Sequence, residues 1–165
     1  MYKFDQDKID KISEHLIKQG KTLAVAESCT SGLIQNILSQ AKQATLFYQG
    51  GMTLYNLGQK AKHLNVNPIT SETCNSVSKE VAEKMALEVA IAFNAELGVA
   101  ITGYAQPMPK LEVNSCFAYI ALAEESKIVF SKKITGDSSK TLLENQFMFM
   151  EKMLDEILKY KKGSE

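Results

Sequence analysis

Thr22-Leu23-Ala24-Val25-Ala26-Glu27-Ser28-Cys29-Thr30-Ser31-Gly32 is the stretch that decides the fold. Its first residues are a short continuous apolar run, the pattern of a buried strand. A polar turn follows, and Leu33, Ile34, Ile37 and Leu38 then recur at helical spacing. Strand, polar turn and helix in that order form the unit in which α/β proteins commonly place ligand chemistry.

Upstream, Asp5 caps a first helix, Phe4 and Ile9 stand at staple positions, and Ile9, Ile12, Leu16 and Ile17 form its apolar face up to Gly20. Downstream, Phe47 to Tyr55 reads as a strand with a bulge or a close backbone approach at Gly50-Gly51. Asn56 caps a short helix running to Leu64, and Pro68 with the polar residues to Asn75 reads as a loop. Ser76 or Ser78 starts a long helix bearing Val81, Ala82, Met85, Val89 and Phe93. Leu97 to Thr102 is a second buried strand ending at Gly103. Phe117 to Ala123 and Ile128 to Ile134 form a hairpin. Asp137 or Ser138 caps a last helix reaching about Tyr160, and Lys161 to Glu165 is a frayed tail. Helices alternating with strands predict one three-layer α/β/α domain with a mixed sheet over residues 1–165.

The chain has 165 residues, enough to bury an ordinary core without staples. Its 45% hydrophobic and 23% charged content is that of a globular domain. Nineteen basic residues balance nineteen acidic ones, so no global field favours nucleic acid or a membrane surface. All the basic residues are Lys, which removes the bidentate guanidinium fork from anion recognition. Cys29, Cys74 and Cys116 are sparse and odd in number, and the amino terminus lacks an apolar signal core; both fit a cytoplasmic protein.

Ser28 is the first candidate for chemistry, at a strand-to-helix turn with backbone donors ahead of it. The plainer role for Ser28, Thr30 and Ser31 is capping of the second helix. Glu27 directly after a buried strand requires a partner. Cys29 is a nucleophile if the helix terminus activates it, and a small apolar filler otherwise. Lys60 opposes the dipole of its own short helix, so it gains nothing locally there; it is either functional or a solvated surface lysine. Tyr55 more often packs than reacts. His15 and His63 are isolated surface residues, and no metal site or cofactor motif is expected.

Four segments together resemble the CinA carboxy-terminal domain family. They are Ala26-Glu27-Ser28-Cys29-Thr30 with Gly32; Tyr48-x-Gly50-Gly51 with Tyr55 and Lys60-Ala61-Lys62-x-Leu64-x-Val66; Val77-Ser78-x-Glu80-Val81-Ala82-x-x-Met85-Ala86; and Ala100-Ile101-Thr102-Gly103. The resemblance spans about Lys8 to Leu158 and implies hydrolysis of the carboxamide of nicotinamide mononucleotide, with release of ammonia. It implies Ser28 as nucleophile, Lys60 as its base within hydrogen-bond reach or one water away, and Tyr55 assisting proton transfer. Glu27, Cys29, Thr30, Thr102 and Gly103 are then substrate-binding, with helix donors after Ser28 facing an oxyanion or phosphate. Family members carry a glycine-rich loop where this chain reads Gly103 to Ser115, keeping only Gly103, Ala105 and Pro107 of the pattern. That departure keeps a second reading open, a ligand-binding or oligomeric module without turnover. The expected partners are a small nucleotide or amide and a second copy of the chain. The twofold homodimer follows from Phe147-Met148-Phe149-Met150, which add to a stripe of Leu142, Leu143, Leu154, Ile157 and Leu158 more apolar surface than one helix face buries.

Overall fold

A computed structural model describes residues 3–160, so Met1, Tyr2 and the expected frayed tail from Lys161 lie outside the described residues. Five strands form one sheet: β1 (Leu23–Glu27), β2 (Tyr48–Thr53), β3 (Leu97–Tyr104), β4 (Phe117–Glu124) and β5 (Lys127–Thr135). The order is β2-β1-β3-β4-β5. Strands β2, β1 and β3 are parallel; β4 and β5 add antiparallel on the β3 side. The sheet is therefore mixed, as expected. A register shift between Leu23 and Ala24 against β2 is the bulge anticipated near Gly50.

Helices cover both faces. On one lie α1 (Gln6–Lys18), α2 (Leu33–Leu38), α3 (Ala44–Phe47) and α7 (Leu142–Lys159); on the other lie α4 (Leu57–Leu64), α5 (Pro68–Glu72) and α6 (Lys79–Ala92). Side-chain size divides the faces. Leu23, Val25, Leu97, Val99, Ile101, Ile120 and Leu122 pack towards α1, α2 and α7. Ala24, Ala26, Ala100, Ala121 and Ala123 meet α6. Small residues let α6 settle close to the sheet, and Gly98 marks the tightest point: a Cβ there would run into the Ala86 carbonyl.

Local signals account for most boundaries. Asp5 accepts from the Lys8 N–H at 3.1 Å, Asn56 from Gln59 at 3.0 Å and Ser78 from Val81 at 3.2 Å. The hairpin turns through Glu125 and Ser126, both at positive φ, as a two-residue connection of the twist-compatible kind requires.

Four expectations are corrected. The Pro68 segment is the helix α5, not a loop, because Asn67 caps it and Pro68 occupies its first turn. Helix α7 starts at Leu142 rather than after Asp137, because Thr141 and Glu144 form a reciprocal capping box while Asp137 turns back to bind Ser139. Leu142 and Leu143 are exposed rather than part of the core stripe, and of the four-residue apolar run Phe149 and Met150 are buried within the monomer. His15, expected on the surface, is half-buried, with Nε2 2.6 Å from the Tyr160 carbonyl.

Candidate functional site

The chain leaves β1 for β2 on one side and returns to β3 on the other, so the strand order reverses between β1 and β3. Such switch points leave a crevice beyond the carboxyl ends of the strands. A cavity of about 260 Å³ opens there, large enough for a small molecule. Ser28 lines it from the end of β1, and Gly103 and Tyr104 line it from the end of β3. Tyr55, Lys60 and Ser76 enter from the α4–α6 side, and Leu142 from α7. Ser28, Cys29, Tyr55, Lys60 and Gly103, separated by up to 75 positions, thus share one cavity.

The turn after β1 is held by Glu27. This fully buried carboxylate accepts from the Thr30 hydroxyl at 2.5 Å and from the N–H groups of Gly32, Ile34 and Gln35 at 3.2, 3.1 and 2.8 Å. The partner that Glu27 requires is therefore the amino end of α2 itself. Glu27 and Thr30 are corrected from substrate-binding to structural residues, since neither lines the cavity and their polar atoms are spent on each other and the backbone. The helix donors expected to face an oxyanion or phosphate are consumed in the same way. Of the turn's N–H groups, those of Cys29 and Thr30 lie outside this cluster, whereas Ser28 N–H donates to Ile101 and Ser31 N–H to Ser28. Capping by Ser28 and Ser31 is not seen either; Gly32 stands at the cap position without a side-chain bond.

Cys29 lines the cavity, but burial pushes its thiol up to about 12, with the Lys60 cation opposing that rise. It is a filler rather than a thiolate at neutral pH. The Gln146 amide donates to its carbonyl at 2.8 Å, pinning the turn to α7. Gly103 is required where it stands, because a Cβ would strike the backbone of Phe117 and Ala118 on β4.

Lys60 is buried, which excludes the solvated-lysine reading. Burial pulls its amine down to about 8, against weaker upward pulls from Cys29 and Cys74. Among the described residues no carboxylate pairs with it. Its Nζ lies 3.0 Å from Ser76 Oγ, 3.4 Å from the Ser76 carbonyl and 3.1 Å from Thr102 Oγ1. Thr102 is corrected accordingly: it is wholly buried behind the lysine, donates to the Ser76 carbonyl at 2.9 Å and positions the amine rather than the substrate. No hydrogen bond joins Lys60 to Ser28 among the described residues, although both line the cavity. Tyr55 is 68% exposed at the mouth, beyond the end of β2.

Sequence reasoning missed Ser76, Asn75 and Tyr104. Asn75 Nδ2 donates to Tyr104 Oη at 3.2 Å, tying the α5–α6 connection to β3 and closing one wall. The divergent Gly103–Ser115 segment is built on itself: Met108 pairs with Val113 across a 3-10 turn at Pro109–Leu111. Ala105, Gln106 and Met108 from it line the cavity. Among the described residues no His/Cys/Asp/Glu group is placed to hold a metal ion. No described helix is long and apolar enough to cross a membrane.

The sequence profile of the family described as CinA C-terminal domain matches residues 5–160. A CinA-like protein of Cytophaga hutchinsonii is 35% identical over 134 residues, covering 80% of this chain and 32% of that protein. A CinA-like protein of Chlorobium phaeobacteroides is 33% identical over 143 residues, covering 84% and 34%. The chain spans between about a quarter and a third of the length of such relatives. In fold it is similar to the competence-damaged protein (CinA) superfamily protein from Enterobacter cloacae, at TM-score 0.86 and 22% identity over 96% of this chain and 95% of that one. It is similar also to the CinA superfamily protein from Escherichia coli, at TM-score 0.77 and 25% identity over 93% and 94%.

Proposed function

Because the chain belongs to the CinA C-terminal domain family, we propose that it hydrolyses the carboxamide of nicotinamide mononucleotide or a closely related small amide, releasing ammonia. One observation carries this reading: a buried lysine, unpaired with any described carboxylate and pulled down to about 8, opens onto the cavity that Ser28 lines. A serine hydroxyl is a weak nucleophile until a base takes its proton, and a desolvated lysine is neutral often enough near physiological pH to act as one. Ser28 attacks the carboxamide carbon, Lys60 takes up the proton and later returns it to the departing nitrogen. Tyr55 at the mouth assists that transfer. Gly103 and the wall beside it hold the substrate. The reaction runs in the cytoplasm, where free thiols such as Cys29, Cys74 and Cys116 persist, and the working unit is a twofold homodimer.

A ligand-binding module without turnover is the second reading, favoured by the Lys60 amine bonding Ser76 and Thr102 instead of Ser28. Coupled detection of ammonia from nicotinamide mononucleotide separates the two. Turnover by the wild type, lost in Lys60→Ala, supports the hydrolase. Calorimetric binding without ammonia supports the module and removes the proposed reaction.

A further inference from the structure

We infer that the Ser76 hydroxyl is the proton relay between Lys60 and the reacting hydroxyl of Ser28, an inference resting on the Ser/Lys reading above. Lys60 Nζ has three oxygen neighbours, and two of them can only accept from it. The Ser76 carbonyl carries no proton. The Thr102 hydroxyl commits its proton to that same carbonyl, so its oxygen faces the lysine as an acceptor. A neutral amine has two N–H donors and one lone pair. With both donors taken by those acceptors, the lone pair faces Ser76 Oγ at 3.0 Å. Ser76 is the neighbour that can hand Lys60 a proton, and it also lines the cavity beside Ser28.

The backbone holds Ser76 there at a cost. Asn75 and Ser76 are successive left-handed residues, at φ 49 and 55. That conformation is unfavourable for side chains with a Cβ and persists where surrounding bonds impose it. Here Ser76 N–H donates to the Ser71 carbonyl at 2.7 Å, and the Asn75 amide grips Tyr104.

The relay moves two protons in each direction. As Ser28 Oγ bonds to the carboxamide carbon, its proton passes to Ser76 Oγ, and the original Ser76 proton passes to Lys60 Nζ, forming an ammonium. When the tetrahedral intermediate collapses, Lys60 returns a proton to Ser76, Ser76 gives one to the amide nitrogen, and the C–N bond breaks to release ammonia. Water enters by the same route to free the acyl group from Ser28. The relay requires Ser28 and Ser76, which line the same cavity, to meet directly or through one water, a reach general acid–base chemistry accommodates.

Ser76→Gly is the informative variant, because glycine accepts the left-handed backbone while removing the hydroxymethyl group that carries the relay proton. Its melting temperature should equal or exceed that of the wild type, whereas kcat/KM for ammonia release from nicotinamide mononucleotide should fall about 10²-fold or more. Ser76→Ala should lose activity alike. Rates in mixtures of light and heavy water should give a bowed proton inventory for the wild type and a straight one for the residual activity of Ser76→Gly, a change that a merely structural role would not produce. Activity of Ser76→Gly within threefold of wild type, or an inventory that stays bowed, overturns the relay. Labelling with a fluorophosphonate and mass mapping complete the test. Adducts on Ser28 are expected, and an adduct on Ser76 instead overturns the relay by making Ser76 the nucleophile. A wild type that neither labels at Ser28 nor releases ammonia overturns the Ser/Lys reading itself, and the relay falls with it.

Discussion

Replacing Glu27 by Gln separates a scaffold residue from a substrate ligand. The side chain keeps its volume, but one oxygen becomes an NH2 group facing donors. If the amide oxygen takes the place of Oε2, it still accepts from Thr30, Gly32 and Ile34, and the Gln35 N–H then meets another donor. The loss is one charge-assisted bond plus a poorly satisfied N–H, together about 3 kcal/mol. For a domain of this size each kcal/mol moves the midpoint by roughly 2–4 °C, so a fall of about 6–12 °C follows. With no Trp in the chain, far-UV circular dichroism through thermal and urea unfolding is the assay. Glu27→Ala, which strands three N–H groups and the Thr30 hydroxyl together, should unfold more easily still. Stability within about 1 kcal/mol of wild type for Glu27→Gln, accompanied by weakened substrate binding, would refute the scaffold assignment and return Glu27 to the ligand shell.

Activity should rise with pH through about 8, because neutral Lys60 is the proposed base; a flat kcat/KM profile between pH 6 and 9 would remove it from the mechanism. The same burial lowers stability wherever Lys60 is protonated in the folded chain. The unfolded lysine keeps its proton up to about 10.5, so wild-type stability climbs between about 8 and 10.5, and Lys60→Met should be inactive, more stable at pH 7 and without that climb. Gly98→Ala presses a methyl against the Ala86 carbonyl and should cost about 3 kcal/mol by urea unfolding; a neutral change would mean that α6 slides freely over the sheet. Light scattering at micromolar concentration should give twice the 18.3 kDa chain mass, and a monomer mass rejects the dimer.

How much was legible follows from how local each determinant is. The Thr22–Gly32 passage, the Asn56 cap and the hairpin depend on neighbours in sequence, and the expected elements formed. The capping box Thr141-x-x-Glu144 was equally local and was overlooked because Asp137 and Ser138 are good caps themselves. Asn67-Pro68 carried a helix-start signal that the polar residues after it obscured. Lys60 was suspect from its unfavourable place on the helix dipole, but only the packing of α4 against α6 makes it buried. Ser76 reads in the sequence only as a candidate helix start, since its bond to Lys60 spans 16 positions. The need of Glu27 for a partner was readable; that the partner is its own following helix was not, because a carboxylate reaching eight residues ahead to Gln35 follows no capping pattern.

The Gln146 amide on the Cys29 carbonyl and Leu142 at the cavity rim have a consequence for the order in which the domain is made. Ser28 and Lys60 emerge from the ribosome before α7, but the rim residue Leu142 and the Gln146 bond that pins the Cys29 turn arrive only with that helix, 117 positions after Cys29 in the case of Gln146. A nascent chain halted before α7 carries both residues with the Cys29 turn unpinned and the cavity rim open at Leu142. For the proposed hydrolysis, competence is thus postponed until α7 has been made and has docked.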